Sequence, residues 1–271
     1  MRYLKQWLQI YINSSIHVSL SASALTYITI LEFDQTPNFY LLWLVFFSTI
    51  VAYNFIKYFG LAQSHHRTLT KQLKLTLWIS LLAFGGCLWC LNSLSRSTFV
   101  LFLLSGAITF LYAIPIGLRQ RIVVGRNLRA ISGLKIFVIS LVWTIVTVVI
   151  PLVEQQIPIG KVALLYAVQR FVFIMVLMLP FDIRDMVYDQ LKLGTVPQLL
   201  GLFWTKIAGV IGVTCVVVLA HISQTDNSPL LITCALLLIA LLKSSPERSF
   251  NYSAFWVEAL PIVWLMLCLI Q

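Results

Sequence analysis

Residues 132–152, SGLKIFVISLVWTIVTVVIPL, decide the fold. Lys135 is the only charged residue in this stretch, and from Ile136 to Val153 there is none. A membrane-spanning helix needs roughly 20 predominantly apolar residues, and this segment supplies them. Comparable runs lie on both sides of it, near 14–31, 39–57, 72–91, 97–115, 160–180, 199–220, 228–243 and 253–270, each broken by polar or Pro/Gly clusters. An all-α integral membrane bundle of nine transmembrane helices is predicted. Eight is the alternative, because 228–243 is short and 253–270 carries Glu258 and Pro261.

Composition agrees. The chain has 271 residues, 60% of them hydrophobic and 10% charged, whereas a soluble domain carries about 25% charged residues to face water. No polar stretch is long enough for a separate soluble unit, so residues 1–271 are expected to form a single polytopic membrane domain. Cys87 and Cys90 make a CxxC inside an apolar run, with no second pair and no nearby histidine, and are read as small packing side chains. Arg2 and Lys5 precede an apolar segment, but Asn13, Ser14, Ser15 and His17 interrupt it, which favours a retained first helix over a cleaved signal.

Lys and Arg are enriched in cytoplasmic loops. With the N-terminus inside, sixteen of the nineteen basic residues fall in inside segments, and only Arg96 and Lys161 fall outside. The expected protein is therefore multi-pass, with a cytoplasmic N-terminus and an outside C-terminus, and a bacterial inner membrane is the expected location. The net charge of +10 is a topology signal, and no nucleic-acid partner is expected.

The carboxylates are unevenly spread. Of nine acidic residues, Glu32, Asp34, Glu154 and Asp226 fall in outside loops, Glu247 in an inside loop and Glu258 in the last span. The remaining three, Asp182, Asp185 and Asp189, crowd the cytoplasmic end of the sixth span. At helical spacing they share one face, where three anions repel unless a cation sits among them. Magnesium suits such a place, since it takes one or two carboxylates and completes its shell with waters and phosphates. A solvated acidic helix end is the plainer account. Basic residues gather at the same membrane face: Arg119 and Arg121 after Tyr112 and Pro115, then Arg126, Arg129 and Lys135. Arg126 and Arg129 are read as anchors for anionic membrane lipids. Arg119 and Arg121 are candidates for holding phosphate.

The segment from Pro180 to Pro197, PFDIRDMVYDQLKLGTVP, resembles the second aspartate motif of the UbiA-type membrane prenyltransferases, D-x-x-D, three residues, D, followed here by Gly194, Thr195 and Pro197. Tyr112, Pro115, Arg119 and Arg121 match a further Y-x-x-P and R-x-R element after span four, and the likeness runs over the whole chain. The resemblance implies transfer of an isoprenoid chain from an allylic diphosphate to a lipophilic, often aromatic acceptor. It also implies Mg2+ held by Asp182, Asp185 and Asp189, with Arg184 and Lys192 as diphosphate contacts. The first motif departs from the pattern. Asn54 is in place, but Tyr58 and Ala62 stand where the family has aspartates. Lys57, one turn from Asn54, is a candidate for pairing directly with phosphate in place of a metal. Tyr58 and Tyr112 are candidates for shielding an allylic cation, and equally for interface anchors.

Arg170 lies mid-span, where a charge is costly and commonly faces a polar interior, and Glu258 is one candidate partner for it. His65 and His66 are read as solvated loop residues. A non-catalytic relative that binds an isoprenoid lipid or diphosphate is the second reading. Transport is the third, disfavoured because the charges cluster at one interface and no inverted repeat is visible.

Overall fold

The computed structural model describes residues 2–62, 71–113, 133–186, 195–225 and 227–271, and all regular structure among them is helical. The helices are α1 (Arg2–Asn13), α2 (Ile16–Glu32), α3 (Phe39–Ala62), α4 (Lys71–Leu91) and α5 (Arg96–Ala113). Then α6 (Leu134–Thr144) runs through a π-helical segment, Ile145–Val149, into α7 (Ile150–Glu154). They are followed by α8 (Lys161–Asp185), α9 (Val196–Ser223) and α10 (Ser228–Leu242). A second π-helical segment, Tyr252–Val257, leads into α11 (Leu260–Ile270).

Each predicted apolar run falls on these helical segments. By length and composition, six are able to cross a membrane: those over Phe39–Tyr58, Leu73–Leu91, Leu134–Glu154, Lys161–Asp185, Val196–Ser223 and Tyr252–Ile270. A seventh is added if α1 and α2 are taken as one span bent by 58°, while Arg96–Tyr112 and Ser228–Leu242 are shorter apolar helices. The chain is a multi-pass membrane protein.

The helix starts obey local chemistry. Proline stands in the first turn of α7, α9, α10 and α11, where its missing N–H costs nothing. Asn227 caps α10 by accepting from the Leu230 N–H at 2.9 Å. Hydroxyls inside the bundle turn back onto their own helix, as when Thr49 donates to Val45 O at 2.7 Å and Thr233 to Pro229 O at 2.7 Å. In an apolar surround this satisfies the hydroxyl without a distant partner.

Helix α8 lies at the centre. Phe173, Ile174, Leu177 and Ile183 are buried among residues of α2, α9, α10 and α11, including Leu25, Val216, Leu237 and Trp264. Close approach of α9 and α10 depends on Gly209. A Cβ there would collide with Leu241 and lie 3.0 Å from Leu179 Cδ1. Small residues at helix crossings are the usual means of close packing where lipid supplies no hydrophobic drive. The outer faces are apolar, with Leu82, Trp89, Phe203 and Trp204 among the exposed side chains.

Arg170 does not pair with the candidate partner Glu258. It is 1% exposed, and it donates to Leu25 O at 3.0 Å and to the Tyr166 hydroxyl at 2.6 Å. Its guanidinium lies 5.3 Å from the Tyr166 ring centroid and 5.0 Å from that of Trp264. Carbonyl dipoles and aromatic faces stabilise the cation, so no carboxylate is required. Cys87 and Cys90 are buried free thiols, as the packing reading expects.

Candidate functional site

The last turn of α8 carries two of the three motif aspartates on one face. Asp182 is 2% exposed and accepts a charge-assisted hydrogen bond from Lys135 Nζ at 2.8 Å. Asp185 accepts from Arg184 Nε at 2.6 Å. Arg184 in turn donates from Nη1 to Ser253 Oγ at 2.7 Å, with its guanidinium 4.7 Å from the Phe250 ring centroid. The end of α8 is thereby fastened to the start of the last span. Thr195 and Pro197, at the other end of the motif, begin α9. The Thr195 N–H donates to Gln198 Oε1 at 3.1 Å and Pro197 occupies the first turn, so this part of the pattern builds a helix start.

On α3, Asn54 is 3% exposed and turned towards the elbow between α1 and α2. Ser15, at the elbow, has a left-handed backbone with φ 64°, which ends α1 and leaves polar groups without helical partners. Asn54 answers them. Its Nδ2 donates to Ser14 O at 3.1 Å and to Ser80 Oγ at 2.9 Å, while its Oδ1 accepts from Ser15 Oγ at 2.8 Å. Lys57 continues the pattern, donating from Nζ to Ser15 Oγ at 2.9 Å and to Asn13 O at 3.4 Å. Both residues therefore join α3 to the elbow. Asn54→Ala is expected to lower stability by roughly 2–3 kcal/mol, since buried polar groups left unsatisfied cost about 1–3 kcal/mol. Thermal unfolding in detergent measures it, and an unchanged midpoint would count against a structural role.

Lys57 and Arg184 also share a neighbour: both lie within electrostatic range of Glu258 on the last span, as do Tyr11 and Tyr53. Tyr58 is half-buried and Tyr112 buried. Asp189, Arg119, Arg121 and Lys192 lie outside the described residues, as do Arg126, Arg129, His65 and His66.

Among the described residues no three His, Cys, Asp or Glu side chains converge as a metal cluster. Asp182 and Asp185 are nonetheless a donor set that suits magnesium, which needs only one or two carboxylates when phosphates complete its shell. An apolar depression elsewhere, lined by Trp43, Phe47, Gly85, Gly86 and Trp89, offers no titratable side chain.

Sequence reasoning missed the elbow contacts of Asn54 and Lys57, the bond from Lys135 to Asp182, and the importance of Glu258. Only the last had a signal, a carboxylate inside an apolar span. The two-serine elbow has no periodic mark, and the pairing of Lys135 with Asp182 joins positions on separate helices.

No protein-family model matches the sequence, and no curated protein does. Solved structures do. An apo UbiA homolog from Aeropyrum pernix K1 superposes with a TM-score of 0.62 at 15% identity, over 94% of this chain and 99% of that one. A UbiA homolog from Archaeoglobus fulgidus, bound to GPP and Mg2+, gives a TM-score of 0.62 at 13% identity, over 95% of this chain and 97% of that one. This chain has the UbiA fold. Within the UbiA fold observed here, the last turn of α8 presents Asp182 and Asp185, and the elbow of α1 and α2 meets α3 at Asn54 and Lys57.

Proposed function

We infer that the protein is a membrane prenyltransferase, moving an isoprenoid chain from an allylic diphosphate to a lipophilic or aromatic acceptor. What carries this reading is the placement, in a UbiA fold, of two aspartates and two cationic side chains at the end of α8. Asp182 and Asp185, with Asp189, would hold magnesium. When bound, magnesium neutralises diphosphate charge and so eases departure of the leaving group. Lys57, Arg119, Arg121, Arg184 and Lys192 are the candidate cationic contacts for the diphosphate, and Tyr58 and Tyr112 the aromatic faces beside the departing chain. The site is assigned to the cytoplasmic side of a bacterial inner membrane, with the N-terminus on that side and nine spans in one domain.

The second reading is a non-catalytic relative that binds an isoprenoid diphosphate or lipid. One observation favours it: Asn54 is fully engaged by Ser14, Ser15 and Ser80, and no carboxylate stands at positions 58 and 62.

The test is calorimetric titration of the detergent-solubilised protein with geranyl diphosphate, with and without magnesium, for wild type and Asp185→Ala. Magnesium-dependent binding, weakened about tenfold or more in the variant, is the expected result, in line with losing one charged metal ligand. Binding indifferent to both magnesium and the substitution would rule the aspartates out as its site. Product formation in a subsequent acceptor screen separates the two readings.

A further inference from the structure

Glu258 is a carboxylate inside an apolar span, and none of the described residues donates a hydrogen bond to its side chain, although groups on three other helices interact with it electrostatically. Tyr11 of α1, Tyr53 and Lys57 of α3, and Arg184 of α8 all lie within electrostatic range. Glu258 is half-buried, and the charges that act on it belong to other helices of the bundle. An intramembrane acid so placed commonly marks a functional position.

Its backbone is unusual as well. Glu258 directly follows the π-helical segment Tyr252–Val257, and its N–H donates to Ser253 O, five residues back, at 3.2 Å. Helix α2 supports this break from the side. His17 donates from Nε2 to Phe255 O at 2.9 Å, and Ser21 donates to Glu258 O. Since a carbonyl only accepts, the proton of neutral His17 lies on Nε2, and Nδ1 accepts from the Tyr11 hydroxyl at 2.8 Å. The backbone at Phe255 and at Glu258 is thus held by another helix, and the carboxylate takes no part in that hold. π-helical turns are frequent at functional sites.

Depth gives the role. The bond from Arg184 to Ser253 brings residue 253 level with the aspartates of α8. Glu258 lies five residues further along the span, about 7 Å deeper at helical rise. A diphosphate held at the aspartates would have its first isoprenoid carbon below it, at that depth.

We propose that Glu258 is the catalytic residue that receives the acceptor's proton. This rests on the prenyltransferase reading above. The acceptor is a protic nucleophile, a phenol or an alcohol, whose O–H donates to the Glu258 carboxylate. As the bond from the allylic carbon to the diphosphate oxygen breaks, the diphosphate leaves with the electron pair. The acceptor oxygen bonds to that carbon, and its proton passes to Glu258. The backbone that carries Glu258 is held by His17 and Ser21.

The experiment uses the full chain in detergent with magnesium and geranyl diphosphate. Calorimetry follows binding, while p-cresol, 1-decanol and water serve as acceptor probes. Glu258→Gln is expected to cut product formation by about 100-fold while geranyl diphosphate affinity changes by less than about threefold, the scale of a lost general base. Glu258→Asp should retain measurable turnover. Wild-type turnover in Glu258→Gln would overturn the assignment. So would parallel loss of binding and turnover in both variants, which would make Glu258 a structural group. Wild-type protein that binds geranyl diphosphate but yields no product with any probe also overturns it, leaving the diphosphate site intact. Absence of binding by the wild type would remove the diphosphate reading itself.

Discussion

Arg170→Met destabilises the protein by on the order of 3 kcal/mol or more, in a range set by buried groups left unsatisfied and by lost packing. Arg170 is among the largest fully buried side chains described, at 1% exposure. Methionine can fill much of its volume, so a cavity accounts for the smaller part of the loss. The larger part comes from the missing donors. Leu25 O loses its 3.0 Å partner and the Tyr166 hydroxyl its 2.6 Å partner, and the faces of Tyr166 and Trp264 lose the cation between them. Because Arg170 ties α8 to α2 and α11, the loss falls on the centre of the bundle. Geranyl diphosphate binding by the surviving folded fraction should be little changed, since Arg170 does not meet the aspartate end of α8. Thermal unfolding in detergent, with the same binding assay, checks both parts. A stable variant would mean that the cation is tolerated there and adds nothing.

The second large effect concerns Lys135 and Asp182. The ion pair joins α6 to α8 at 2.8 Å with the carboxylate buried, and breaking such a pair from one side costs about 3–5 kcal/mol when the remaining charge is uncompensated. Asp182→Asn and Lys135→Met should each lower stability, and the double variant should be more stable than the single costs add up to. The coupling should fall within the roughly 0.5–3 kcal/mol seen for contacting residues. Function should not follow this recovery. If Asp182 serves the diphosphate site, the double variant regains stability yet stays deficient in magnesium-dependent geranyl diphosphate binding. A double variant that regains both would reduce Asp182 to a strut. Strictly additive stabilities would show that the two residues do not depend on each other.

Much of the architecture can be read from the chain because lipid makes a simple demand. Runs such as 136–153 have nowhere else to go, and each forms a helix. The aspartate end of α8 is legible for the same reason, since acids concentrated beside an apolar run need compensation. What the chain does not disclose is how its polar groups find one another. By sequence, Arg170 and Glu258 look like a pair because each is costly alone. Yet Arg170 settles on a carbonyl, a hydroxyl and two rings, and the charges that act on Glu258 are those of Lys57 and Arg184. Asn54 looks like the remnant of a metal motif, but its side chain is spent on the elbow at Ser14 and Ser15. Periodicity reports which face of a helix is apolar. It carries no information on which distant polar group will meet a polar one, nor on whether a turn closes after four residues or five.

That last distinction has a consequence for how chains of this fold are compared. A five-residue closure at Tyr252–Val257 amounts to one extra residue in the turn, and it shifts the phase of everything beyond it by about 100°, one residue's step around a helix. Against a chain whose last span is α-helical throughout, counting positions straight through the segment would shift Glu258 and Trp264 by that step. Against such a chain, a one-residue gap opened within 252–257 restores the register around Glu258.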